Sequence, residues 1–76
     1  FGRFFALARD EVGEKVREAV KNLPEKYRVV IALRDLQGLS YDEIEQVVGC
    51  PLGTVKSRVN RGRLMLRDSL KDFVEP

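Results

Sequence analysis

The chain has 76 residues, 43% of them hydrophobic and 34% charged, with a formal net charge of +2, one cysteine and no histidine. This length supports one small domain that buries only about 60% of its unfolded surface, so a large enclosed active site is not expected. One cysteine rules out an intrachain disulfide, and the lack of histidine leaves no zinc site of ordinary ligand count; both fit a reducing cytoplasm.

Residues 1–10 open on Phe1-Gly-Arg-Phe-Phe-Ala-Leu-Ala8, which is apolar but too short and wrongly flanked for a secretion signal. A start without Met is expected of a fragment of something longer, and 1–10 read as a linker or N-terminal extension. Phe1, Phe4 and Phe5 are either part of that linker or a stripe that docks when the parent assembles. The spacing of Val12, Val16, Ala19, Val20 and Leu23 predicts a helix from about Asp10 to Asn22. Pro24 breaks it and suits the first turn of a second helix, from about Pro24 to Leu36. There Tyr27, Val30, Ile31, Leu33 and Arg34 take up most of the circumference, so this is expected to be the central, most buried helix. Its longest apolar run, Val29–Leu33, falls far short of the roughly 20 residues that span a membrane. Gly38 is the natural stop.

Ser40-Tyr-Asp-Glu-Ile-Glu-Gln-Val-Val48 follows, with Ser40 at an N-cap position and Glu43 three residues on, the pattern of a capping box. Asp42 and Glu43 suit the positive end of the helix dipole, and Ile44, Val47 and Val48 make the stripe of a short helix with one buried face. Gly49-Cys50-Pro51 breaks it: Gly fits the left-handed C′ position and Pro starts the next helix. From Leu52 a long helix runs to about Lys71 or Phe73. At about 100° per residue, its Val55, Val59, Gly62, Leu66 and Ser69 fall within roughly 40° of one line. Lys56, Ser57, Asn60 and Arg61 fall on the opposite half. Between Leu52 and Arg67 stand Lys56, Arg58, Arg61, Arg63 and Arg67 and no acid, whereas 41–50 hold Asp42, Glu43 and Glu45 and no base. A short helix, a tight turn with Gly and a longer basic helix form the helix-turn-helix pattern. Its greasy side seats inward and its cationic side faces a polyanion. No alternation of period two occurs, so the fold class is all-α: a four-helix domain with a C-terminal helix-turn-helix and a long recognition helix.

Leu23-Pro-Glu-Lys-Tyr-Arg28, Gly38-Leu-Ser-Tyr-Asp-Glu-Ile44 and Cys50-Pro-Leu-Gly-Thr-Val-Lys-Ser-Arg58 resemble region 4 of bacterial sigma-70 family sigma factors, most closely the extracytoplasmic-function group. The likeness covers about residues 12–72, within a domain drawn at 11–74. It implies transcription initiation in the bacterial cytoplasm, with region 4 reading the −35 element of double-stranded promoter DNA while bound to the β-subunit flap of core RNA polymerase. It also implies an anti-sigma factor as a further partner. Carried over by position, Lys56, Ser57, Asn60 and Arg61 match places that meet base edges in the major groove. Tyr41, Thr54, Arg58 and Arg63 match places for phosphates. Arg61 or Lys56 suits guanine O6 and N7, and Asn60 suits adenine N6 and N7. Two departures stand out. Asn60 occupies a position that often carries a larger ring or branched side chain. Gly62 replaces the usual Ala, at about 1 kcal/mol of helix propensity, and is expected to permit closer packing on the first motif helix.

Plainer readings exist for single residues. Packing on the turn accounts for Tyr41 equally well, Cys50 reads as a small buried hydrophobe, and Leu64 is either an ordinary exposed leucine or part of a contact with a partner protein. An alternative for the whole chain is the helix-turn-helix output domain of a response regulator or quorum sensor, which shares the Gly-Leu-Ser and Thr-Val-Lys elements; a protein-interaction module that no longer reads DNA is a third. With no histidine, no Gly-rich phosphate loop and no inward carboxylate pair, neither an enzyme, a catalytic residue, a metal nor a cofactor is expected, and neither a membrane nor a small-molecule substrate is a partner.

Overall fold

A computed structural model of the chain describes the backbone of residues 11–74 and the side chains of residues 13–71. Its helices are α1 (Glu11–Lys21), α2 (Glu25–Ile31), α3 (Tyr41–Val48) and α4 (Leu52–Val74), and a π-helical turn, Ala32–Leu36, prolongs α2. The described residues hold no strand, and the four-helix, all-α expectation holds. The linker expected at 1–10, with Phe1, Phe4 and Phe5, lies outside the described residues.

Each helix turns its apolar phase inward. Val16 and Val20 from α1 with Leu23 just after it, Val30 and Ile31 from α2, Ile44 from α3 and Val55, Val59 and Leu66 from α4 form one core. Full burial of such a side chain stabilises the fold by roughly 1.5–3 kcal/mol. α2 and α4 make the most extensive of these packings, which agrees with the central place expected for α2. Two positions depart from the expected stripes. Val47 is 63% exposed, because Ile44 and Val48 alone turn α3 toward the core. Ser69 is exposed where α4 borders an open groove beside the end of α1, and Leu70 packs on the core in its place.

The breaks follow from the residues at them. The end of α1 tightens as the Leu23 N–H donates to the Val20 carbonyl at 3.1 Å. Pro24 is extended (φ −54°, ψ 148°), so it caps α2 rather than opening its first turn as expected, and its carbonyl accepts from the N–H groups of Tyr27 and Arg28. At the far end, the Gln37 N–H donates to the Ala32 carbonyl, five residues back, and the Leu39 N–H to the Leu33 carbonyl, six back. A glycine-terminated helix ordinarily closes over a span one residue shorter than this last bond; the π turn supplies the extra residue. Gly38 at φ +81° makes the reversal.

The capping box forms as expected. The Glu43 N–H donates to Ser40 Oγ at 3.1 Å, and the Ser40 N–H donates to Glu43 Oε1 at 2.8 Å. Hydrogen bonding to Ser40 holds the Glu43 carboxyl below its ordinary pKa, the backbone N–H contributing most. Gly49 adopts the left-handed conformation (φ 74°) that ends α3, and Pro51 stands just ahead of α4, its carbonyl accepting from the Val55 N–H. The 23 residues of α4 make a rod about 35 Å long.

Candidate nucleic-acid interface

The rod presents two sides, as its angular sorting requires. Val55 and Val59 are 0% exposed, whereas Lys56, Ser57, Asn60 and Arg61 all face solvent. These four are brought together within two turns of one helix, with no acid in its first turn. Ser57 Oγ lies 3.2 Å from the Thr54 carbonyl and donates to it. Its hydroxyl hydrogen is then spent on the helix, and its outward lone pairs accept, which suits a base amino group.

Of the expected phosphate residues, Tyr41 stands on α3 and Thr54, Arg58 and Arg63 on the rod, and side-chain contacts tie Tyr41, Arg58 and Arg63 to neighbouring elements. Tyr41, at the first position of α3, is half-buried. The Arg34 guanidinium stands 5.0 Å and the Lys56 ammonium 5.9 Å from its ring centroid, both within cation–π range. Arg34 Nη1 also donates to the Leu39 carbonyl at 2.9 Å, so Arg34 clamps the turn between the π segment and α3 onto the tyrosine. On the other flank, Arg58 Nη1 lies 3.3 Å from Cys50 Sγ, anchoring Arg58 over the turn of the motif. Cys50 is half-buried there rather than fully enclosed. Thr54 is half-buried in the first turn of α4.

Arg63 is engaged differently. Its Nε donates to Asp35 Oδ2 at 2.9 Å and its Nη2 to Asp35 Oδ1 at 2.6 Å, a two-pronged pair across 28 residues of sequence. The Asp35 side chain is 4% exposed and that of Arg63 34%. The Asp35 carboxylate raises the guanidinium pKa above its ordinary value by hydrogen bonding and, after the opposing effect of burial, by charge; Tyr41 adds to the rise. Two donors expected to face phosphate are therefore turned toward the π turn.

Gly62 is buried, and a Cβ built there would stand 2.7 Å from Ile31 Cγ1 and 3.5 Å from Tyr27 Cβ. The close approach that this glycine permits is thus to α2, not to the first helix of the motif as expected. Beyond Asn60, α4 borders two shallow cavities of about 310 Å³ each, one beside Tyr27, Arg61 and Leu64, the other beside Ala19, Asn22 and Leu23, with Met65 and Asp68 shared between them. Leu64 stands 52% exposed at this groove.

Arg34 and Asp35, neither among the expected site residues, support this surface from beneath and beside it. For Asp35 a signal was present: it lies four residues after Ile31, in the buried phase of the central helix, where a lone acid requires a partner. Arg63, at the edge of the greasy stripe of α4, is a cation in the phase to supply it.

The family described as "Sigma-70, region 4" matches residues 13–66. The chain is 41% identical over 69 residues to the RNA polymerase sigma-H factor of Pseudomonas aeruginosa, an alignment covering 91% of this chain and 36% of that protein. It is 42% identical over 68 residues to the ECF RNA polymerase sigma factor SigW of Bacillus subtilis (90% and 36%). It is also 46% identical over 59 residues to the ECF RNA polymerase sigma factor SigE of Mycolicibacterium smegmatis (78% and 23%). The chain therefore spans about a third or less of the length of these relatives.

Proposed function

The chain belongs to the sigma-70 region 4 family, in its extracytoplasmic-function group, and on that premise we propose that it reads the −35 element of bacterial promoters as part of an RNA polymerase holoenzyme. The observation that carries this reading is the joint exposure of Lys56, Ser57, Asn60 and Arg61 on an acid-free stretch of α4 whose opposite side is sealed in the core. Those four read base edges in the major groove. Tyr41, Thr54 and Arg58, with the positive end of α4, hold phosphates and fix the register. The domain is drawn at 11–74, works in the bacterial cytoplasm and takes no part in bond-making. The groove along the second half of α4, with Leu64 at its edge, receives the β-subunit flap, and an anti-sigma factor competes for these surfaces. Matches to whole sigma factors over most of this chain favour this reading over a response-regulator output domain.

The test is selection of randomised duplexes by the 76-residue chain at low and moderate salt, followed by polarisation titrations of variants. Arg61→Ala is expected to relax base preference at one position. Arg58→Ala is expected to weaken every duplex evenly and to lower the log–log salt slope by about 0.9. Equal losses on every probe for both variants would overturn this division of labour.

A further inference from the structure

We infer that Asp35, which no DNA can touch, is a specificity-determining residue of the DNA surface: it withholds Arg63 from the phosphates and pins the reading helix to the π turn. The inference rests on the promoter-reading proposal and deepens it. Asp35 is 3% exposed, and it is the buried charged residue among those described. It reaches Arg63 with both carboxylate oxygens, in the planar two-point geometry that fixes orientation as well as distance. The pair joins two elements that the reading surface depends on. Arg63 lies one turn after Val59 and two residues past Arg61, on the rod itself. Asp35 lies in the π turn, next to Arg34, whose guanidinium stands against the ring of Tyr41.

The electrostatic consequence is specific. A cation that reaches a phosphate adds to affinity for every sequence alike, because the gain comes from released counterions. A cation matched by a buried carboxylate adds none of this. Asp35 therefore removes one sequence-blind contact from α4 while holding the base-reading residues in one register. The chain gives up non-specific affinity and keeps discrimination. Asp35 is a positioning residue here, acting through Arg63.

The experiment titrates the 76-residue chain and its variants by fluorescence polarisation. The probes are the duplex that the wild-type chain enriches from a random pool and a scrambled duplex of the same composition, between about 50 and 200 mM salt. Asp35→Asn keeps the shape and removes the charge. It is expected to steepen the log–log salt slope by about 0.9 and to tighten the scrambled duplex roughly eightfold near 0.1 M salt, narrowing the preference for the enriched one. Arg63→Met is expected to leave the slope at its wild-type value. A slope that falls by about 0.9 in Arg63→Met would make Arg63 an ordinary phosphate contact and overturn the inference, as would an Asp35→Asn chain with unchanged slope and preference. Should either single variant lose its helical circular dichroism, the double variant Asp35→Leu, Arg63→Met, in which an apolar pair replaces the ionic one, is read instead. A wild-type slope supports the inference, and a slope lower by about 0.9 sinks it. A wild-type chain that enriches no duplex fails the promoter-reading proposal and this inference with it. Discrimination by the wild type with the wrong slopes in the variants fails the inference alone.

Discussion

Asp35 and Arg63 occupy unequal positions in one ion pair, and the inequality sets the outcome of breaking it from either side. The carboxylate is enclosed, while the guanidinium side chain keeps about a third of its surface in water. Removing Arg63 strands a buried charge with nowhere to go. Removing Asp35 leaves a cation on a long flexible stem that reaches solvent within one rotamer change. Breaking a fully buried pair costs about 3–5 kcal/mol, and the partial exposure of Arg63 argues for the low end. Arg63→Ala is therefore expected to destabilise the fold by roughly 3 kcal/mol. Asp35→Ala should cost clearly less, on the order of 1 kcal/mol, the net worth of a typical hydrogen bond. Urea unfolding followed by circular dichroism measures both; equal destabilisation would show that the pair is not seated as described. The sequence marks Asp35 as an acid in a buried phase, but 28 residues separate it from Arg63 and only the fold brings the two together.

At the scale of the element, two glycines of α4 make opposite predictions for the same substitution. Alanine at either position gains helix propensity, about 1 kcal/mol in a helix interior and less near an end. At Gly53 an added Cβ meets nothing within 4 Å, so Gly53→Ala should raise stability by a few tenths of a kcal/mol up to that limit. At Gly62 the Cβ would press 2.7 Å from Cγ1 of Ile31, a branched side chain with 0% exposure and no room to retreat. Overpacking of this kind costs roughly 1–3 kcal/mol, which exceeds the propensity gain, so Gly62→Ala should lower the unfolding midpoint. A Gly62→Ala chain as stable as Gly53→Ala would mean that α2 yields at Ile31. The same elements show what a sequence discloses. Signals carried within one helix are legible: the capping box of Ser40 and Glu43, the left-handed Gly49, and the exposure of Lys56, Ser57, Asn60 and Arg61 opposite the buried Val55 and Val59. What crosses between helices is not. The π turn at Ala32–Leu36, the contact of Gly62 with Ile31 and the exposure of Val47 depend on how neighbours abut, and no period within one segment encodes that.

For the whole molecule, the proposed function asks one helix, α4, to serve two partners, and its length leaves room for both. Its first half carries the residues proposed to read bases; its second half borders cavities lined by Leu23, Tyr27, Leu64 and Met65, the one at Leu64 reaching back to Arg61. On the proposed function, a single module of this size would cover only about 600–1,000 Å² of DNA, and its hold on a promoter alone would be weak. Attachment through the groove would raise its concentration at the −35 site without any new DNA contact. The two halves should then separate by mutation. Leu64 is half-exposed and stands outside the core cluster, so a charge there leaves the fold intact. Leu64→Asp also places an acid beside Tyr27 and Met65, which a docked partner would need to cover, at about 1–3 kcal/mol for a buried polar group without a matching partner. The expected result is a roughly tenfold or greater drop in binding to an immobilised β-flap fragment. Polarisation on the enriched duplex should fall by less than flap binding, since the added charge lies a full turn beyond Asn60 and acts on the DNA surface only through Arg61, three residues back. If Leu64→Asp instead abolishes DNA binding and leaves flap capture intact, the reading surface extends further along the rod and the flap must dock elsewhere.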